Sequence, residues 1–123
     1  MHPRVNDLGG RTDLPVLAHV LAGAAAVVAG NTGPLHLAAA VGTPVVAVFP
    51  PTVALERWRP WRVPHVVLGD QDVPCAGCRS RTCPQPRQLC LDEATPAAVA
   101  AAVDRLTRPS GQPANPFDQE VNR

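Results

Sequence analysis

Residues 24–49, AAAVVAGNTGPLHLAAAVGTPVVAVF, decide the fold. The run AAVVAG at 25–30 is apolar without alternation, the pattern of a short strand buried on both faces. The run TPVVAVF at 43–49 reads the same way. Between them, PLHLAAAVG predicts a compact helix over 34–41, opened by Pro34 and closed by Gly42. A strand, a helix and a second strand with short joints make a βαβ unit, and hence a parallel sheet. Asn31, Thr32 and Gly33 join the first strand to the helix and are the chemically distinctive part of the stretch.

Working outward, RVNDLGG at 4–10 reads as a short strand ending in a Gly-rich turn. TDLPVLAHVLAGA at 12–24 predicts a helix capped by Thr12 or Asp13, with Pro15 in its first turn and Leu14, Leu17, Val20 and Leu21 on its apolar stripe. On the other side, PPTVALERWRPWRVP at 50–64 predicts a long Pro-rich loop. HVVLG at 65–69 adds another strand, and a cysteine loop spans 75–90. TPAAVAAAVDRL at 95–106 predicts a last helix capped by Thr95, with a stripe of Val99, Val103 and Leu106. About four strands and three helices are expected in one α/β domain over 1–106. From Thr107 the chain turns to Pro, Ser, Gly, Asn and Gln, and 107–123 is expected to be a disordered tail.

The 123 residues suffice for one modest core. Aromatic residues are 3% of the chain, so that core is built from Ala, Val and Leu. A net charge of +1 gives no argument for nucleic acid. All eleven basic residues are Arg, which excludes a lysine Schiff base or a lysine phosphate clamp. No run approaches the roughly 20 apolar residues of a transmembrane helix, and the first ten residues lack an apolar leader. The expectation is a cytoplasmic chain, whose four cysteines are thiols or metal ligands rather than structural disulfides.

A parallel strand ending in a turn that opens a helix is a ready anion site. Ligands of open α/β sheets bind beyond the carboxyl ends of the strands, where first-turn N–H groups lack an internal partner and the helix dipole favours negative charge. Gly33 allows close backbone approach, Thr32 adds a hydroxyl, Pro34 gives up a donor the helix does not use, and His36 lies on the same turn. An ordinary capped turn is the competing reading. The spacing is neither a Walker A loop nor G-x-G-x-x-G.

The loop CAGCRSRTCPQPRQLC places Cys75, Cys78, Cys83 and Cys90 within sixteen residues as C-x2-C-x4-C-x6-C. A structural zinc held by four thiolates is one reading, with Arg79, Arg81 and Arg87 offsetting its negative charge. Free thiols or a single disulfide is the other, since the spacing differs from the two-knuckle ribbon. Trp58 and Trp61, in ERWRPW, read either as a stacking surface for a base or sugar ring or as two buried indoles pinning the loop. The burial reading is the expectation.

Gly9 to Thr12, the junction from Asn31 to His36, the turn from Gly42 to Pro44 and the loop from Cys75 to Cys90 together resemble the C-terminal domain of glycosyltransferase family 9, the heptosyltransferases, over roughly residues 7 to 106. The resemblance implies a Rossmann-like parallel sheet, part of the C-terminal, donor-binding domain of a GT-B glycosyltransferase. Its donor is a nucleotide-diphosphate sugar, ADP-heptose in the best-known members, and its acceptor a cell-envelope glycan or lipopolysaccharide. It implies that Thr32 and Gly33 meet the diphosphate, that Asn31 stands where the family has an acidic residue near the donor sugar, and that no divalent metal is needed for catalysis. The family also carries an N-terminal acceptor domain and earlier strands that are missing here. In a 3-2-1-4-5-6 sheet this chain keeps strands 3 to 6, and the strand at 25–30 exposes an apolar edge. The expectation is therefore a fragment, a truncated gene product or one piece of a split enzyme, in the last case with the acceptor domain on another chain, and in each case with no catalytic residue of its own. The alternative is a non-catalytic remnant or interaction module held by a four-cysteine metal site.

Overall fold

The structure, a computed structural model, describes residues 4–108. Helix α1 (Leu14–Ala22) begins as the sequence predicts: Asp13 Oδ1 accepts from Val16 N at 2.9 Å, with Pro15 in the first turn. Then follow strand β1 (Val27–Gly30), helix α2 (Gly33–Ala40), strand β2 (Val45–Val48), a one-turn helix α3 (Leu55–Trp58) and strand β3 (His65–Leu68). A 3-10 turn at Leu89–Leu91 precedes helix α4 (Pro96–Thr107), capped by Thr95, whose Oγ1 accepts from Ala98 N at 3.1 Å.

The sheet is parallel throughout, in the order β1-β2-β3, with Val27, Val45 and His65 in register. Alternation across β2 divides the core. Val45 and Ala47 join Leu35, Ala38 and Ala39 of α2, with Val27, Phe49 and Val63. Val46 faces the other way, onto Val66 and Ala102 of α4. Helices thus cover both faces of the central strand, a small Rossmann-like α/β arrangement. The loops are tied by side chains: Thr43 Oγ1 donates to Leu21 O at 2.7 Å, fixing the end of α1 to the start of β2.

Five expectations are corrected. No strand forms over residues 4–10, so the sheet has three strands among the described residues; Val5 and Leu8 are exposed and no neighbouring strand lies beside them. β1 is not buried on both faces. Val28 is 47% exposed because α4 packs on β2 and β3 and leaves that side of β1 bare. The Pro-rich loop contains α3, making four α-helices among the described residues where three were expected. α1 buries none of its residues fully: Leu14 is 69% exposed, while Leu17 and Leu21 are only half-buried. α4 runs through Thr107, the first residue of the expected tail, and 109–123 lie outside the described residues.

Candidate functional site

The carboxyl ends of the three strands point the same way, and the segments leaving them build one surface. Asn31, Thr32, Gly33, Pro34 and His36 all lie there, between the last residue of β1 and the first turn of α2. Thr32 is the N-cap residue of α2 by backbone geometry, with φ −145° and ψ 173°. Its hydroxyl does not cap the helix; it reaches back to Gly30 O at 3.4 Å. Leu35 N closes onto Thr32 O at 3.2 Å, and Pro34 carries no N–H. Among the described residues, no hydrogen bond takes up the Thr32 or Gly33 N–H. Thr32, Gly33 and Pro34 are exposed. A Cβ built on Gly33 meets nothing within 4 Å, so the space in front of this peptide is open.

Behind that opening, Asn31 is half-buried and its Oδ1 is fully shielded with no hydrogen-bond partner. An amide oxygen in that state is a costly feature, about 1–3 kcal/mol when left unsatisfied. Below it the helix is firmly seated: Leu35 and Ala38 are completely buried against the sheet.

His36, half-buried, turns toward α3, where its ring stands 6.1 Å from that of Trp58 at 56°. The indoles are not buried as expected. Trp58 is 46% and Trp61 74% exposed, and Arg62 lies over the Trp61 ring with its guanidinium carbon 5.9 Å from the centroid. Both rings are therefore open to a partner instead of pinning the loop.

Sequence reasoning missed how the ends of β2 and β3 are fastened. Gln71 Nε2 donates to Phe49 O at 2.9 Å and to Gly69 O at 3.1 Å, while Glu93 Oε1 accepts from Gly69 N at 2.9 Å. Gly69 has φ +142°, and a Cβ there would stand 2.1 Å from Phe49 O. A glycine directly after an apolar strand was the one available signal.

The cysteine loop leaves β3 and packs on the segment after β2. Gly77 N donates to Pro51 O at 2.6 Å, Arg79 N to Thr52 O at 3.0 Å, and Asp70 N to Cys90 O at 2.8 Å. Cys75, Cys78, Cys83 and Cys90 are free thiols that line a single cavity of about 180 Å³, roofed by Pro50, Pro51 and Thr52. Burial first, and then the neighbouring thiols of Cys75, Cys83 and Cys78, push the Cys90 thiol above its ordinary range. As the loop stands, no three His, Cys, Asp or Glu side chains among the described residues are grouped to hold a metal ion. No helix among them is long and apolar enough to cross a membrane.

Comparison with known proteins identifies the family. The sequence model of "Glycosyltransferase family 9 (heptosyltransferase)" matches residues 1–88. The chain is 36% identical over 110 residues to lipopolysaccharide heptosyltransferase 1 of Pseudomonas aeruginosa, covering 78% of this chain and 30% of that protein. It is 32% identical over 107 residues to lipopolysaccharide heptosyltransferase 3 of Escherichia coli, covering 85% and 30%. It is 26% identical over 106 residues to lipooligosaccharide heptosyltransferase 2 of Campylobacter jejuni, covering 86% and 33%. The chain thus spans about a third of the length of these relatives. No solved structure matches it. By its match over residues 1–88, the chain belongs to glycosyltransferase family 9, the heptosyltransferase family.

Proposed function

We propose that this chain is the donor-binding part of a heptosyltransferase-type glycosyltransferase, a portion of the C-terminal domain of a GT-B enzyme. It takes a nucleotide-diphosphate sugar for transfer of a heptose or related sugar to a cell-envelope glycan. The observation that carries the reading is the open first turn of α2: two exposed peptides, at Thr32 and Gly33, with no partner for their N–H groups. Two N–H donors and the positive end of a helix suit a diphosphate.

The chemistry follows from the same atoms. Glycosyl transfer breaks the bond between the sugar and the diphosphate, and negative charge grows on the departing phosphate oxygen. Donors fixed in place before reaction stabilise that charge more than they stabilise the ground state. Asn31, in the same turn between β1 and α2, offers its side-chain amide to a hydroxyl of the donor sugar once that side chain turns to uncover its shielded Oδ1. Trp58, beside His36, offers an exposed face for a base or sugar ring. The base that activates the acceptor hydroxyl, and the acceptor site itself, belong to the N-terminal acceptor domain.

Calorimetry of the full chain with ADP-, UDP- and GDP-sugars tests the reading. Saturable binding of at least one of them, without turnover by this chain alone, is expected. A cooperatively folded sample that binds none of the three refutes it.

A further inference from the structure

We propose that Cys75, Cys78, Cys83 and Cys90 form a four-thiolate zinc site that closes the loop between β3 and α4. The inference is independent of the donor-site reading and starts from burial. Between Pro74 and Cys90 every residue is exposed except Cys75, Cys83 and Cys90. Leu89, the one large aliphatic side chain in that span, points outward at 48% exposure. From Asp70 to Thr95 the only fully buried residue is Val73. A loop of this length has no apolar core to hold it, and the side chains it turns inward are thiols. Segments that cannot bury enough surface are commonly stabilised by a metal or a disulfide.

All four cysteines line the same cavity of about 180 Å³, although they come from sixteen residues of irregular backbone. Zinc with thiolates at about 2.3 Å sets the sulfurs roughly 3.8 Å apart. The thiols are more widely spread than that as they stand, since no three are grouped for a metal. The span that must contract carries no fold of its own. The loop is anchored at its ends, through Gly77 and Arg79 to Pro51 and Thr52 and through Cys90 O to Asp70 N, and residues 80–88 have no helix or strand to break. Coupling of metal binding to local closure is the usual behaviour of small thiolate sites. Four thiols bind Zn²⁺ by losing four protons, leaving a centre of charge −2. Arg81, which lines the cavity, lies beside that charge. Thiolate sulfur selects zinc over the hard cations. The paired C-x2-C at Cys75 and Cys78 brings two ligands from one turn, with Gly77 at φ +82° between them.

The test is metal analysis of the full chain purified under reducing conditions, followed by Co²⁺ titration of the metal-free protein. One zinc per chain is expected, with cobalt saturating at one equivalent and showing sulfur-to-metal charge transfer and the intense visible bands of a tetrahedral site. Cys78→Ser is the informative variant, because Cys78 is the exposed member of the four and its loss leaves no cavity in a core. It should weaken cobalt binding by more than the roughly 10–100-fold that changes around a metal site cost. Thiol alkylation gives a readout that needs no variant: chelator should speed labelling of all four cysteines together. Protein that contains no zinc and shows no cobalt–sulfur bands overturns the proposal. So does an unchanged cobalt affinity in Cys78→Ser, iron with visible absorption in its place, or disulfides in the chain as purified without reductant.

Discussion

Gly33→Ala separates ligand recognition from folding at a single atom. The added methyl meets no protein atom within 4 Å, and Gly33 is not in the left-handed region, so the backbone accepts alanine without strain. Replacing glycine by alanine at such a position stabilises by about 0.4–1 kcal/mol, through loss of freedom in the unfolded chain. The same methyl projects into the open space in front of the Thr32–Gly33 peptides, where the proposed diphosphate sits. One charge-assisted hydrogen bond contributes about 1.5–3 kcal/mol. Holding the phosphate off by a methyl radius should therefore weaken binding roughly 10- to 140-fold, at about 1.4 kcal/mol per tenfold. Calorimetry with the nucleotide sugar that binds the parent chain, paired with a thermal melt, reads both quantities. A variant that melts at or above the parent temperature and binds at least tenfold more weakly fits the geometry. Equal affinity in a protein of equal or greater stability refutes the assignment of the diphosphate to this turn.

Gly69→Ala should do the reverse, because its methyl would strike Phe49 O and its backbone, at φ +142°, is one that alanine avoids; a loss of at least about 1–3 kcal/mol is expected in urea denaturation. Leu35→Ala removes a fully buried side chain where α2 meets the sheet and should cost about 2–5 kcal/mol by the same measurement. Thr95→Ala removes the cap of α4 and should cost about 1 kcal/mol, with loss of helical circular dichroism on mild heating preceding that of the parent. Trp58→Ala, at a half-exposed indole, should change stability by less than about 1 kcal/mol while weakening the nucleotide sugar, which a melt and calorimetry distinguish.

The parts of the fold written in local chemistry were legible in the sequence. Asp13 and Thr95 cap where a polar residue precedes Pro-containing apolar runs, and Gly42, at φ +84°, follows the end of α2. What depends on neighbours was not legible. VVAG and VVAV look equally apolar, yet β2 is central and β1 is an edge with Val28 bare, because burial is decided by which helix lies above the strand. Val5 suggested a strand, but a strand without a partner cannot satisfy its backbone. α3 escaped notice since four residues between prolines carry no period. In α4 the predicted stripe of Val99, Val103 and Leu106 is only half-buried, and the fully buried residue is Ala102, whose small side chain lets the helix approach Val46 and Val66. At the site, the Asn31–Gly33 junction stood out by composition, whereas the shielding of Asn31 Oδ1 and the pairing of His36 with Trp58 required the folded backbone. The cysteine spacing was visible; that three of those side chains are the loop's only inward-turned groups between 74 and 90 was not.

The core and the candidate site divide the work of α2 between its two ends. Leu35, Ala38 and Ala39 hold the helix against β1 and β2, and the carbonyl of Thr32 already accepts from Leu35 N. The peptides of Thr32 and Gly33 are therefore fixed in direction before any ligand arrives, and ordering them adds little to the cost of binding. A flexible loop with the same residues would lose that advantage, since each side chain or peptide immobilised on binding opposes it. The Asn31 amide oxygen differs, because it is shielded without a donor and its side chain must turn before a sugar hydroxyl can reach it. A nucleoside diphosphate lacking the sugar would engage the helix end without the sugar contacts, so the change that Asn31→Ala makes in the affinity difference between the two ligands isolates the contribution of Asn31.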